Sequence, residues 1–482
     1  MIAQLIQTGV QHHQAGRLQQ AESLYQQALQ LAPNNPDALH LSGLVAYQSG
    51  RLEDAVTLIG KAVSLMPSSS IMYFNLASAL KAQGRPDAAI ENYRRAIALN
   101  PAYAEAHNNL GNLLKQQGRF AEAAASLRQA LALRPDYAEG HNNLGIALRE
   151  QGLPDEAIAS YRRAVALKPD YAEAYNNLGN ALKDQGRLDE AIECYRRALA
   201  LRPDYADTYG NLGGVLKTRG KLDEALECFR QQLRLAPDNL VAQHLVASLT
   251  GTATERAPAQ YVAQLFDDYA EKFDSHLQQS LGYDIPQKMA ALVTERFTPQ
   301  PGQWRVLDLG CGTGLAGQVL APFARHLAGV DLSAKMLEKA RERKLYQRLE
   351  RADLLTMLQG EPGSSYDVVI AADVFVYLGR LDEVIGEIRR LLGAGGIFAF
   401  SAEALQPAPG AESAPALPYR LENTGRYAHA PDYLAGLADA NGFIRSAMID
   451  TTIRMEHGKP VPGYLALWQI QHQQNEVLPG SL

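Results

Sequence analysis

Two acidic side chains stand beside a run of glycines in the second half of the 482-residue chain. Asp308 ends the apolar run RVLDLG and is followed by Gly310, Gly312 and Gly314. A strand that ends in glycines before a helix lets a ligand lie against bare backbone. Asp331 ends the next apolar run, 19 residues beyond Gly312, where a carboxylate can accept hydrogen bonds from both hydroxyls of a ribose. The pattern indicates a nucleotide-like ligand at the ends of two strands.

The glycine spacing distinguishes two classes of nucleotide ligand. A dinucleotide-binding turn needs a third glycine where this chain has Leu315, and Asp308 would then lie beside a pyrophosphate. Gly-x-Gly-x-Gly after an acid instead resembles motif I of the class I S-adenosylmethionine-dependent methyltransferases, whose ligand carries a sulfonium and an ammonium. Carboxylates suit those positive groups. The resemblance implies a methyltransferase that uses S-adenosyl-L-methionine and needs no metal.

Other residues between positions 258 and 472 fit the same resemblance. It assigns Met336 to the face of the adenine ring, Asp353 to the adenine amino group and Leu354 to a backbone contact. The alternatives are a core methionine for Met336 and a helix cap for Asp353, while Cys311 is a small spacer rather than a nucleophile. The predicted cofactor-binding residues are Asp308, Gly310, Cys311, Gly312, Gly314, Asp331, Leu332, Met336, Asp353, Leu354, Ala371, Tyr261 and Tyr269.

An aromatic stripe precedes the glycine motif. Tyr261 and Tyr269 share one helix face with Leu265, Phe266 and Phe273. The segment FDDYAEKFDSHLQQSLGY is similar to the helices that close over the cofactor in this family. The tyrosines are then expected to shield the sulfonium, whose charge suits an aromatic face. The stripe fits equally well a helix that only docks on the sheet.

Acceptor-side candidates follow the fourth predicted strand and a proline- and alanine-rich stretch, residues 404–418, that is expected to be a flexible loop or lid. The resemblance places Asp373 and Tyr377 near the methyl donor and the acceptor. His429 is a candidate general base because histidine titrates near neutral pH, although a structural role is the alternative. The predicted catalytic residues are therefore His429, Asp373 and Tyr377, in no order, with Arg426 and Tyr427 able to steer an acidic acceptor.

The elements that position these residues alternate in type from residue 303 onward. The short apolar runs RVLDLG, HLAGVDL, RLERADL, YDVVIAADV and GIFAFSAE are separated by helical patterns. That alternation predicts a doubly wound, mostly parallel, Rossmann-like α/β sheet. Two further strands, at 446–455 and 463–470, are predicted to form an antiparallel hairpin at its C-terminal edge.

The first half of the chain repeats itself every 34 residues. Proline, alanine and a large apolar residue each recur seven times at this period, as in Pro135, Ala157 and Tyr161. Each unit is predicted to be two helices separated by a glycine turn, with small residues such as Gly145 letting the helices approach. These features resemble the tetratricopeptide repeat, so an α solenoid of seven helix-turn-helix units is expected. Cys194 and Cys228 occupy one repeat position and are expected to be packing residues.

One asparagine position recurs in five consecutive units. In tetratricopeptide arrays it faces the concave surface, and an asparagine column there can pair with the backbone of an extended peptide. The column resembles the asparagine ladder of O-linked N-acetylglucosamine transferase, although it can also simply hydrate a groove. The predicted peptide-binding residues are Asn75, Asn109, Asn143, Asn177 and Asn211.

Composition excludes several other classes of protein. The net charge of −6 gives no basic field for nucleic acid. Three cysteines are too few for a disulfide framework, and no apolar run is long enough to span a membrane. We expect a cytoplasmic monomer or weak dimer without membrane insertion. The predicted domains are the repeat superhelix (1–250), a linker with cofactor-covering helices (251–302), the methyltransferase domain (303–472) and a C-terminal tail (473–482).

The function predicted from these features is methyl transfer from S-adenosyl-L-methionine, with the repeats binding a peptide or protein that is a candidate acceptor. One alternative is a small-molecule or envelope-precursor methyltransferase that its repeats localise. The other is a tetratricopeptide scaffold without catalysis.

Overall fold

A computed structural model of the chain describes residues 1–252, 254–270, 273–274, 283–406, 417–456 and 459–471. The predicted tail and most of the predicted lid lie outside the described residues. The chain divides into two compact units, Met1–Ala225 and Leu226–Leu482. No helix among the described residues is long and apolar enough to cross a membrane.

The repeats form the predicted helix pairs. Each pair has a first helix of 13 residues and a second of 14. The pairs are α1 Ile2–Gln14 with α2 Leu18–Leu31, α3 Pro36–Gln48 with α4 Leu52–Leu65, α5 Ser70–Ala82 with α6 Pro86–Leu99, α7 Ala104–Gln116 with α8 Phe120–Leu133, α9 Ala138–Glu150 with α10 Pro154–Leu167, α11 Ala172–Asp184 with α12 Leu188–Leu201, and α13 Ala206–Thr218 with α14 Leu222–Leu235.

Glycine and tyrosine set the spacing within a pair. A Cβ on Gly145 would lie 2.6 Å from the ring of Tyr161, which is buried against it. Gly152, in the turn between α9 and α10, has a φ of +74°, a conformation that glycine adopts without steric cost. The predicted repeat is therefore confirmed: a glycine turn separates its two helices, and a small residue lets them pack closely.

The second unit contains the α/β sheet. Its helices are α15 Leu240–Thr250, α16 Ala259–Tyr269, α17 Ile285–Phe297, α18 Leu315–Leu320, α19 Ala334–Glu342, α20 Leu354–Gly360, α21 Asp382–Leu391 and α22 Pro431–Ala440. Its strands are β1 Trp304–Leu309, β2 Ala324–Asp331, β3 Arg348–Arg351, β4 Tyr366–Ala371, β5 Leu392–Ala404, β6 Tyr419–Leu421, β7 Tyr427–His429, β8 Phe443–Glu456 and β9 Lys459–Ile470.

The sheet has the predicted doubly wound topology. Its order is β3-β2-β1-β4-β5-β7-β6, and β1 to β5 are parallel. The predicted C-terminal hairpin is present, because β9 pairs antiparallel with both β5 and β8. Side chains alternate between two apolar layers, with Phe398 and Phe400 in one and Ile397 and Ala399 in the other. Both faces are buried, as a mostly parallel sheet requires.

The strand order reverses between β1 and β4, which lie side by side. Leu309 is opposite Val330 of β2 and opposite Ala371 of β4. Consequently the segments that follow these strands meet at one edge of the sheet, where doubly wound proteins bind their ligands.

The helix after the seventh repeat belongs to the second unit. His244, on α15, is hydrogen-bonded through Nε2 to the carbonyl of Gly425 at 3.1 Å, and Ala247 packs with Val262 and Tyr377. These contacts explain why the two units divide within α14, before the boundary at residue 250 that the sequence predicts.

Candidate functional site

The glycine loop after β1 forms the floor of the site. Gly310, Gly312 and Gly314 all have positive φ, of 61°, 53° and 89°. A Cβ on Gly310 would lie 2.6 Å from Cγ2 of Val374, in the segment after β4. The loop therefore needs glycine at position 310 both for its backbone angle and for the approach of the neighbouring segment.

Asp331 ties this loop to the end of β2. Its Oδ2 accepts from the Gly312 N–H at 2.9 Å, and its Oδ1 accepts from the Ser333 N–H at 2.8 Å. Burial raises the pKa of Asp331, while these N–H donors act in the opposite direction. The carboxylate is oriented by backbone donors and still lines the cavity described below.

Asp353, after β3, is both a helix cap, as one of the two interpretations of the sequence expected, and a residue that lines the cavity. Its Oδ1 accepts from the N–H groups of Leu355 and Thr356, at 3.1 and 3.3 Å, and so caps α20. The residue also lines the same cavity as Asp331. Capping orients its side chain without removing it from the site.

A cavity of about 990 Å³ opens at the carboxyl edge of the sheet. Acidic residues from three strand ends lie around it together with aromatic side chains from α16 and the segment that follows. The predicted site residues that line it are Gly310, Gly312, Asp331, Leu332, Asp353, Leu354, Tyr269, Asp373 and Tyr377. Four predicted cofactor acids or glycines and two predicted catalytic residues thus share one space.

Asp308 does not line the cavity. Its carboxyl is buried at the end of β1, where Tyr346 donates a hydrogen bond to Oδ2 at 2.6 Å. Burial raises the pKa of Asp308 to about 7. The hydrogen bond joins β1 to the segment that contains Tyr346, so this predicted cofactor-binding side chain has a structural role in the fold.

Five more predicted cofactor residues do not line the cavity. Cys311 and Ala371 are buried, and the N–H of Cys311 donates to the Val330 carbonyl. Met336 is fully buried in α19, and Gly314 begins α18. Tyr261 is not among the residues that line the cavity, and its ring lies 5.1 Å from that of His244. In this structure these residues shape the wall rather than the surface of the cavity.

His429 is also separated from the cavity, and this placement corrects the expectation that it faces the acceptor. The imidazole is fully buried, with Nε2 at 2.9 and 3.1 Å from the carbonyl oxygens of Leu378 and Gly379. Burial lowers its pKa to about 4. Two carbonyl acceptors require the proton on Nε2, so the ring connects β7 to the turn after β4, and we do not retain it as a candidate base.

Besides Arg426, which the sequence indicated for an acidic acceptor, charged residues that the sequence did not single out lie at or near the far end of the cavity. Arg426 is hydrogen-bonded to Tyr377 and lies 3.8 Å from Glu456. Arg454 and Glu403 form a buried ion pair. Glu403 ends an apolar strand, the same signal that marked Asp308, whereas nothing in the sequence distinguishes Arg454 within β8. Among the described residues, no cluster of histidine, cysteine, aspartate and glutamate has the arrangement of a metal site.

In the first unit, the asparagine column lies half-buried along the first helices. Asn177 Nδ2 donates to Oδ1 of Asn142, and Asn211 Nδ2 donates to Oδ1 of Asn176, at 3.0 and 3.2 Å. Asn143 accepts from Lys115 Nζ at 2.9 Å. The remaining members make comparable contacts, Asn75 with His40 and Asn109 with Asn108. Asn177 and Asn211 thus link successive repeats through Asn142 and Asn176, whereas Asn109 bonds its neighbour within one repeat.

Comparison with known proteins agrees with both halves of the chain. A family profile described as a methyltransferase domain matches residues 307–398. Profiles for tetratricopeptide repeats match residues 12–80, 77–118, 109–172 and 170–238.

Similar curated proteins match the methyltransferase part. Malonyl-[acyl-carrier protein] O-methyltransferase of Pectobacterium atrosepticum is 29% identical over 150 residues, which are 31% of this chain and 55% of the relative. Trans-aconitate 2-methyltransferase of Paracidovorax citrulli is 35% identical over 97 residues, 20% of this chain and 36% of the relative. The chain thus spans about half the length, or less, of these relatives.

A solved structure resembles the repeats. YrrB, described as a tetratricopeptide protein with an unusual peptide-binding site, is 26% identical, with a TM-score of 0.35 over 39% of this chain and 96% of that one. The matching profiles, the helix pairs and the sheet together show that the chain carries tetratricopeptide repeats followed by a methyltransferase domain.

Proposed function

We propose that this chain transfers the methyl group of S-adenosyl-L-methionine to an acceptor, and that its repeats bind an extended peptide or protein. The observation that carries the proposal is the meeting of Gly310, Gly312, Asp331 and Asp353 around one cavity at the strand-order reversal. The same cavity extends to Asp373 and Tyr377, so donor and acceptor groups have a common space.

The residues around the cavity fit such a cofactor. Asp331, held by two backbone donors, presents a carboxylate for ribose hydroxyls, and Asp353 lies beside it for the base. Glycine at position 310 leaves backbone exposed where a side chain would intrude. When bound, the cofactor supplies a methyl group already activated on a sulfonium.

The protein then contributes alignment and exclusion of water. Tyr269, Phe273 and Phe266 line the cavity with apolar rings, and the rings of Tyr269 and Phe273 are 5.4 Å apart. Holding an acceptor atom against the methyl carbon supplies up to about 7 to 11 kcal/mol of the barrier reduction. The charged end of the cavity, near Asp373, is the place for the acceptor.

The repeat array supports peptide binding through the asparagine column. The inter-repeat bonds of Asn177 and Asn211 use one amide hydrogen of each. The second amide hydrogen and Oδ1 are left for a ligand, and together they match the carbonyl and N–H of a peptide backbone. Such pairing does not depend on the sequence of the peptide.

The first experiment separates cofactor binding from transfer. Titration calorimetry with S-adenosyl-L-methionine compares the unaltered protein with Asp331→Ala and with Asp367→Asn, an acid at the opposite end of β4. We expect Asp331→Ala to lose binding and Asp367→Asn to keep it. Equal binding by all three proteins would contradict the proposed site.

The second experiment uses methyl-labelled cofactor and soluble lysate, with labelled proteins separated from labelled small molecules. If a protein is labelled, and the amount of label decreases in Asn177→Ala/Asn211→Ala but not in the control Asn92→Ala on a second helix, the result supports substrate presentation by the repeats. Label in small molecules alone would instead support a localising role for the array. Binding without any transfer would favour the scaffold.

A further inference from the structure

A buried set of charged groups lies behind one wall of the cavity. Arg454, on β8, is only 4% exposed. Its Nη2 donates to the carboxylate of Glu403, on β5, and its Nη1 lies 3.5 Å from Oδ1 of Asp373, after β4. Asp373 lines the cavity and is 23% exposed. The guanidinium therefore connects a buried carboxylate to one that faces the cavity.

The backbone also fixes Asp373. Its φ is +60°, a left-handed conformation that side-chain-bearing residues seldom adopt. Its N–H donates to Oγ of the fully buried Ser401 at 2.8 Å. Residues kept in this region are strained and concentrate at functional sites. The fold thus maintains a strained residue at the end of β4 and holds it from two sides.

An irregularity in the sheet accompanies Arg454. The register of β8 against β9 shifts between Thr452 and Arg454. Such a shift turns the following side chain in a new direction, often beside an active site. Because β9 lies between β8 and β5, the shift helps explain how a residue of the outer strand reaches Glu403.

Stability alone does not account for this arrangement. Among the described residues, Nε and Nη1 of Arg454 and Oδ1 of Asp373 have no hydrogen-bond partner, although all three atoms are buried. Apolar side chains often replace buried ion pairs with no loss of stability. A cluster that is both buried and incompletely bonded points to a role at the cavity that its exposed member faces.

We propose that Arg454, backed by Glu403, is a positioning residue that holds Asp373 as the acceptor-side base, so the acceptor presents an O–H or N–H group. The inference rests on the proposed methyl transfer. The acceptor lone pair bonds to the methyl carbon, the carbon–sulfur bond breaks with both electrons left on sulfur, and the acceptor proton passes to the Asp373 carboxylate. The other charged or titratable groups near Asp373 are Glu403, Arg426, Tyr283 and Tyr377.

This assignment selects among acceptors. A carboxylate acceptor needs no base, because it has no proton for Asp373 to receive. A hydroxyl or amine must lose its proton, and His429 cannot take it because its ring is fully buried and does not line the cavity. The exposed carboxylate of Asp373 is therefore the group suited to receive that proton.

The test compares Asp373→Asn, Arg454→Met and Arg454→Lys with a matched pair of controls, Asp367→Asn and Arg305→Met. Asp367 and Arg305 form an ion pair at the other end of the sheet, 2.7 Å apart, in which both side chains are partly exposed. Calorimetry with S-adenosyl-L-methionine checks that each variant still binds the cofactor. The unaltered protein first shows which lysate fraction, proteins or small molecules, receives the labelled methyl group. The transfer rate of each variant is then measured with that fraction.

We expect Asp373→Asn to bind the cofactor normally and to lose about 10²- to 10⁴-fold in transfer rate. Arg454→Met should lose about 10²-fold, and the acidic limb of its pH–rate profile should move to higher pH because the positive charge beside the base is gone. Arg454→Lys should recover part of the rate, and the controls should match the unaltered protein. If Arg454→Met does not fold, Arg454→Lys and Glu403→Gln carry the same comparison.

Three results would overturn the inference. They are loss of cofactor binding in Asp373→Asn, unchanged transfer in that variant, and a product that releases methanol in mild base, since that marks a methyl ester. Absence of transfer by the unaltered protein would instead count against the proposed function itself.

Discussion

Replacing Asp308 by asparagine should stabilise the sheet-containing unit at neutral pH, and the gain should shrink as the pH falls. Burial raises the pKa of Asp308 to about 7, from an ordinary value of 3.8, despite the hydrogen bond from Tyr346. Between these two values the folded state holds a proton that the unfolded state releases. The free energy of unfolding therefore falls as the pH rises through this window, and it is highest below it.

The size of the effect follows from the two pKa values. Their difference corresponds to about 4 kcal/mol at 1.36 kcal/mol per unit, of which about 2.5 kcal/mol develops between pH 5 and pH 8. Asparagine carries no such proton-linked cost, and its amide oxygen can still accept from Tyr346. The stability of Asp308→Asn relative to the unaltered protein should thus increase by about 2.5 kcal/mol across that range.

Tryptophan fluorescence during urea unfolding measures this change selectively. The chain has two tryptophans, Trp304 on β1 and Trp468 on β9, both buried in the second unit. The full chain can therefore be used, because the repeats contribute no tryptophan signal.

Asp367→Asn provides a control of opposite sign. Burial alone would raise the pKa of Asp367, but hydrogen bonds from Arg305 lower it below its ordinary value. That ion pair stabilises the fold at neutral pH, and its contribution is lost in acid. Equal effects of Asp308→Asn at pH 5 and pH 8 would refute the reasoning about the buried carboxyl.

Three further predictions concern packing and surface charge. Gly145→Ala should lower the stability of the repeats by about 1–3 kcal/mol, because its Cβ would lie 2.6 Å from the Tyr161 ring. A Cβ at Gly214 would meet nothing within 4 Å, so Gly214→Ala should stabilise the repeats by about 0.5–1 kcal/mol. Circular dichroism during unfolding distinguishes the two variants, and equal losses of stability would contradict the packing argument. Arg128→Ala, which removes the exposed ion pair with Glu156, should lower the free energy of unfolding by less than about 1 kcal/mol, and by nothing at high salt. A larger loss that does not depend on salt, in the same assay, would contradict this screened surface attraction. Gly310→Ala should weaken binding of S-adenosyl-L-methionine at least about tenfold by calorimetry, since the change strains a φ of +61° and crowds Val374, and unaltered affinity would separate the loop from the cofactor site.

Much of the fold follows from local patterns in the sequence. The 34-residue period predicts the helix pairs because each repeat buries the same face against its neighbours. The alternation of short apolar runs and helical patterns predicts the parallel sheet, and the hairpin of β8 and β9 follows from two adjacent apolar runs. The glycine loop and Asp331 were predicted from spacing, because strand ends in such a sheet share one edge.

The direction of individual side chains was less predictable. Asp308 and Asp331 look alike in sequence, yet Asp308 turns toward Tyr346 while Asp331 lines the cavity. Tyr346 belongs to no motif, so nothing local reveals that it will enclose one acid. His429 was expected at the acceptor, but the carbonyl groups of Leu378 and Gly379 enclose its Nε2.

The amino-acid sequence by itself determined the repeat count and the sheet, and it predicted the class of ligand, because periodicity and strand-end motifs depend on residues close together in the chain. Only the tertiary structure decided which charged groups meet. Glu403, Arg454 and Asp373 come from three different segments and pair through the order and register of the strands. Burial then makes those pairings matter, since a charge removed from water must find its partner within the protein.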